Sequence, residues 1–129
     1  MIKFIGRISR REVNELYKSA RAGLVVYQPA KNHYEAQPVK MFEYMAAGLP
    51  VIASNFPYWR RIVEESNCGI CVDPQDAKAV REACRKLIHD PELGQLMGQR
   101  GRAAVIEKYS WTSEERKLLL LYNDLCYKR

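Results

Sequence analysis

Glu35 and Glu43 stand eight positions apart, the first in a polar stretch and the second inside a segment of helical periodicity. Pro38 reads as the opening of that helix, because a proline at the first helical position gives up an amide that has no intrahelical partner anyway. A helix start offers free N–H groups and the positive end of the helix dipole, an arrangement that favours phosphate. The backbone around Ala36, Gln37, Pro38, Val39 and Lys40 is therefore a candidate diphosphate cradle, with the Lys40 ammonium adding a point charge. A carboxylate further along the helix, at Glu43, suits the paired hydroxyls of a ribose. One in the preceding loop, at Glu35, suits the hydroxyls of a sugar. Two glutamates at this spacing are also compatible with a plain surface carboxylate and a helix-face glutamate.

A second spacing with chemical potential is Cys68-Gly-Ile-Cys71, the CxxC of zinc and redox sites. It has no second pair, and neither His33 nor His89 stands at ligand spacing to it. If Gly69 to Val72 is a strand, residues three apart point to opposite faces. The four cysteines therefore read as structural and reduced, with no metal and no cofactor implied.

The elements that must position these residues alternate short apolar runs with helical stretches. Ile2 to Ile5, Leu24 to Tyr27, Val51 to Ser54 and Gly69 to Val72 read as strands. Ser9 and Glu12 form a capping box before a helix whose apolar face is Val13, Leu16, Tyr17 and Ala20. Val39, Phe42, Met45 and Ala46 give the face of the next helix, ended by Gly48 and Pro50. A short helix from Pro57 to about Glu65 follows, and Asp76 caps another with Val80, Ala83, Cys84, Leu87 and Ile88. Asp90-Pro91 opens a helix with Leu93, Leu96, Met97, Ala104 and Val105, and Ser110-Trp111 a last one with Leu118, Leu121, Tyr122 and Leu125. Residues 28–37 read as a loop. This alternation predicts an α/β fold: a parallel sheet of about four strands flanked by helices, a partial Rossmann-like unit. Ligands of such sheets bind at the carboxyl ends of the strands, which is where the Glu35 loop and the Pro38 helix start fall.

Composition agrees with one domain spanning residues 1–129. The chain is 47% hydrophobic and 28% charged, which excludes a disordered tail. Its longest apolar run, Leu118 to Leu121, is far short of a membrane span, and the first residues do not read as a signal peptide. The expected location is the cytoplasm, with membrane contact at most peripheral at the inner face. The net charge of +6 is concentrated in residues 1–22, where Lys3, Arg7, Arg10, Arg11, Lys18 and Arg21 face only Glu12 and Glu15. A solvated helix face accounts for it; a nucleic-acid partner would need exposed aromatic or basic strands, whereas these strands read as buried.

The stretch from Tyr34 to Ser54 closely resembles the donor-binding signature of the retaining GT-B group 1 glycosyl transferases. Glu35 and Glu43 match the Glu-x7-Glu pair of that family, and Glu43-Tyr-Met-Ala-Ala-Gly-Leu-Pro-Val-Ile-Ala53 matches the phrase that follows. Pro38, Lys40 and Phe42 fit a familiar variant; Gly69-Ile-Cys-Val-Asp-Pro74, Asp90-Pro91 and Tyr109-Ser-Trp111 agree in order. The usual Glu-Gly-Phe-Gly loop is here Glu35-Ala-Gln-Pro38. The resemblance implies the carboxyl-terminal donor domain of such an enzyme, and a nucleotide-diphosphate sugar as its ligand. Transfer with retention is implied, in the setting of polysaccharide biosynthesis. Glu35 would meet the donor hexose in a catalytic role without being a nucleophile, Glu43 the ribose, and Ala36 to Lys40 the diphosphate. It also implies that an amino-terminal acceptor domain and two sheet strands are missing here. On that reading the chain alone transfers sugar poorly or not at all. The sheet would be compacted to four strands, or the chain would self-associate through an exposed edge. A non-catalytic nucleotide-binding or interaction module is the alternative.

Overall fold

The computed structural model describes residues 2–127. Its elements run α1 (Arg10–Ser19), β1 (Gly23–Val25), α2 (Lys31–Glu35), α3 (Val39–Ala46), β2 (Val51–Ser54) and α4 (Pro57–Ser66). They continue with β3 (Gly69–Val72), α5 (Ala77–His89), α6 (Pro91–Ala104), a π-helical turn (Val105–Tyr109) and α7 (Trp111–Tyr127). The strands form one parallel sheet in the order β1-β2-β3, with Leu24 opposite Ile52 and Ile52 opposite Ile70. An α/β fold with a helix-flanked parallel sheet is thus present.

Side-chain alternation along the strands sends apolar residues to both faces. Val25, Val51 and Ala53 join Met41 and Met45 of α3, Trp59, Ile62 and Val63 of α4, and Cys68 in one core cluster. Ile52 and Val72 meet Ala83 and Leu87 of α5 in another. Local signals set the helix ends. Ser9 and Glu12 make both bonds of the capping box, Asp76 caps α5 through the amides of Lys78 and Ala79, and Asp90 caps α6 through that of Leu93. Asn67 closes α4 in the left-handed conformation, φ 47°.

Several expectations are corrected. The sheet has three strands among the described residues, so neither about four strands nor a compacted four-stranded sheet is formed. The Ile2 to Ile5 run pairs with nothing among the described residues, and Ile2 and Phe4 are 98% and 93% exposed. A strand without a neighbour has no ladder to hold it. Residues 31–35 of the expected loop coil into α2. Pro38 lies one position outside the helix, as its extended cap. The inward face of α3 is Met41 and Met45, leaving Val39 exposed. No residue of α1 is buried.

Helix α6 buries glycines rather than its leucines: Gly94, Gly98, Gly101 and Ala104 face inward, while Leu96 is exposed. The reason is close approach. A Cβ on Gly98 would stand 1.9 Å from the Gly48 carbonyl oxygen, in the left-handed turn (φ +75°) that ends α3. No residue of α7 is buried either; four consecutive leucines go round the helix instead of forming one stripe. Among the described residues no helix is long and apolar enough to cross a membrane.

Candidate functional site

The segment that leads through α2 to Glu35 leaves β1 at Val25, and partly buried polar contacts, beginning two residues on at Tyr27, fix its path. Ser54, fully buried at the end of β2, accepts the Tyr27 N–H at 2.8 Å and donates its hydroxyl to the Tyr27 carbonyl at 2.9 Å. A side chain thereby replaces a rung of the ladder at the point where the backbone of Asn55 has turned to bond Val72. Gln28 then donates to the Pro74 carbonyl, which joins this loop to the one after β3. At the far end, the buried Trp59 donates its indole N–H to the Ala36 carbonyl at 2.7 Å. Tyr27 and Phe56 pack against the Trp59 ring with near-perpendicular edges. The backbone at Ala36 to Pro38 is held from below by a rigid aromatic core.

Helix α3 starts from that support. Its first amides, at Val39 and Lys40, have no intrahelical acceptor, while the Met41 amide already bonds the Pro38 carbonyl. Pro38 is buried and has no N–H, so it shapes the backbone and donates nothing. Gln37 and Val39 border a cavity of about 830 Å³ shared with Phe42, Tyr58, Lys108 and Tyr109. Val39 and Phe42 also border a groove of about 430 Å³ between α1 and α3, in which Glu43 meets Arg10, Asn14 and Tyr17. Val39 and Glu43 are four residues apart, so they share one side of α3. Glu35 ends α2 exposed and Lys40 is exposed; neither lines these two cavities. The structure therefore gathers Gln37, Val39 and Glu43 along two adjoining cavities, with Ala36 and Pro38 as their supporting backbone.

Glu43 has a partner that the sequence did not disclose. Arg10 Nη1 lies 2.5 Å from Glu43 Oε1, with the two side chains 64% and 29% exposed. The hydrogen bond and the charge of Glu43 raise the Arg10 pKa above its ordinary value. Tyr17, beside them, has its phenol pushed up by burial first and by the Glu43 charge second. Tyr17 packs edge-on against Tyr44, whose ring fills the space where Gly23 of β1 lacks a side chain. The signal that could have found these residues is the spacing of Arg10, Asn14 and Tyr17, at i, i+4 and i+7 on one side of α1. Among the described residues, no three His, Cys, Asp or Glu side chains stand together as a metal site.

A solved structure of sucrose-phosphate synthase from Thermosynechococcus elongatus superposes with a TM-score of 0.82 at 28% identity, over 98% of this chain and 31% of that one. Sucrose synthase from Acidithiobacillus caldus is 28% identical over 93% of this chain and 16% of its own length. D-inositol 3-phosphate glycosyltransferase from Corynebacterium urealyticum is 30% identical over 89% of this chain and 26% of its own length. The chain thus spans less than a third of each of these relatives. The family described as "Glycosyl transferases group 1" matches residues 1–104, which include α1 and the whole of the sheet, α3 and its loop. This chain belongs to the group 1 glycosyl transferases, of GT-B type.

Proposed function

We propose that this chain forms the donor side of a glycosyltransferase and binds a nucleotide-diphosphate sugar along α3. The observation that carries the reading is that α3 opens with first-turn amides free of intrahelical acceptors, and the Glu43 carboxylate stands one turn further on, about 5 Å along the axis, on the side that Val39 shares. The diphosphate lies on the amides of Ala36, Gln37, Val39 and Lys40, and the ribose diol on Glu43. Glu35, exposed at the end of α2, reaches the donor hexose. Breaking the glycosyl–phosphate bond moves negative charge onto the departing diphosphate, so prearranged amides and the Lys40 ammonium stabilise the transition state more than the ground state. Transfer proceeds with retention, and Glu35 orients the sugar without attacking it. The acceptor is held by an amino-terminal domain of the same enzyme, without which the chain is inactive. The setting is polysaccharide synthesis in the cytoplasm or at the inner face of the membrane. The open edge of β1, where Leu24 is 48% exposed, is where a second copy would pair if the chain self-associates.

Isothermal titration of the chain with UDP, GDP and ADP and their sugars tests the reading. One nucleotide series binds, and Glu43→Ala weakens it at least tenfold. Absence of binding by all three at millimolar concentration refutes the site.

A further inference from the structure

Arg10 lies outside the Glu-x7-Glu segment, yet it touches the carboxylate on which the nucleotide reading depends. It stands in the first turn of α1, 33 residues before Glu43. Its own neighbourhood leaves it free for that contact. The acidic side chain of its turn, Glu12, is committed to the Ser9 amide at 2.8 Å and the Ser9 hydroxyl at 2.7 Å. That capping box also fixes where α1 begins, so the guanidinium is launched from a defined point. It engages Oε1 of Glu43 through a single nitrogen, and the Tyr17 phenol stands beside the same carboxylate. A carboxylate can accept from several donors at once, and a guanidinium carries five N–H groups, so neither partner is saturated by the pair. The groove they border is roomy, about 430 Å³, and is lined on its other side by Val39 and Phe42.

We propose that Arg10 is a positioning residue for ribose recognition: it holds the Glu43 carboxylate in one orientation in the groove between α1 and α3, so that a vicinal diol is received by a prearranged acceptor. This rests on the proposed donor site. A free glutamate side chain loses rotamer freedom when it binds, and a partner that has already restricted it removes part of that cost from the ligand. Both side chains are partly exposed, so the effect is modest, on the order of two- to fivefold in affinity.

The test titrates the wild-type chain, Arg10→Ala, Arg10→Lys, Glu43→Gln and the double variant with the best-binding nucleoside diphosphate and with its 2′-deoxy analogue. Circular dichroism melts accompany each variant. Arg10→Ala weakens the ribonucleotide two- to fivefold and leaves the deoxynucleotide unchanged, and Arg10→Lys recovers part of the loss. In the Glu43→Gln background the Arg10 substitution has no further effect. Tighter ribonucleotide binding by Arg10→Ala, or equal weakening of both ligands, overturns the positioning role: the first makes Arg10 a competitor of the diol, the second a phosphate contact or a fold defect. If Glu43→Gln leaves the ribo-to-deoxy ratio unchanged, the diol is not at Glu43 and the donor-site reading itself fails. If only the Arg10 variants leave it unchanged, that reading stands and this inference alone fails.

Discussion

Ser54 offers the sharpest test of how the fold holds the site. Replacing it with alanine removes one buried oxygen that serves two partly buried bonds, to the Tyr27 amide at 2.8 Å and the Tyr27 carbonyl at 2.9 Å. The Asn55 amide, already donating to the Val72 carbonyl, is not free to replace the bond to the Tyr27 carbonyl, and as a donor it cannot serve the Tyr27 N–H. The Tyr27 N–H is then left without its partner. An unsatisfied buried donor costs about 1–3 kcal/mol, so Ser54→Ala destabilises the domain by about 2 kcal/mol. For a chain of this size that corresponds to a fall in Tm of about 8 °C. Urea unfolding followed by far-ultraviolet circular dichroism measures it, with the m-value unchanged if the denatured state is unaffected. Because Tyr27 anchors the segment that leads to Glu35, nucleotide affinity falls in parallel, beyond what partial unfolding at the assay temperature explains. A loss of stability below about 0.5 kcal/mol would refute the reasoning, since it would mean that Tyr27 finds another partner and that the loop is not hung from Ser54.

Trp59→Phe keeps a ring in the core but removes the donor to the Ala36 carbonyl; stability falls by about 2 kcal/mol, and calorimetric titration shows weaker nucleotide binding with unchanged secondary structure. Gly98→Ala forces a Cβ toward the Gly48 carbonyl oxygen, 1.9 Å away and part of the backbone; it destabilises by about 3 kcal/mol, read as a lower urea midpoint, and a wild-type midpoint would contradict the close approach of α6 to α3. Burial pushes the thiols of Cys68 and Cys71 up to about 11. The folded state therefore holds these protons more tightly than the unfolded chain, so stability is constant below the ordinary thiol range and falls as the pH rises toward 11. At pH 8 a disulfide reagent modifies the exposed Cys126 first and reaches Cys68 only on unfolding.

What was legible in the sequence was whatever is decided within a few residues. The capping box at Ser9, the aspartate caps at Asp76 and Asp90, and the apolar strands Val51–Ser54 and Gly69–Val72 are local choices, and the structure carries each of them. What was not legible depends on distant partners. Ile2 to Ile5 has strand composition, yet a strand is a property of a pair, and nothing among the described residues lies alongside it. Helix α6 shows the same limit from the other direction. Its leucines gave the expected buried face, but the tight fit against the end of α3 belongs to glycines, whose value lies in what they leave out and which no hydrophobic pattern marks.

The candidate site divides along the same line. Glu43 and the start of α3 were readable because one helix carries both, and the i, i+4 relation of Val39 and Glu43 follows from helical geometry alone. Their supports were not. Ser54 reads as the end of an apolar strand, and Trp59 falls within a short helix without a stated role; only the fold shows that each spends its one polar group on the segment between β1 and α3. Arg10 belongs to a basic segment that reads as a solvated face, and five of the six basic residues there leave that reading standing. The sixth crosses 33 residues of sequence to a carboxylate. Its interest follows from elementary electrostatics: a basic patch is a diffuse field, whereas one guanidinium at hydrogen-bond distance from one carboxylate fixes an orientation. The proposed site therefore rests on pairings between elements, and Arg10–Glu43 is the pairing that joins α1 to α3 there.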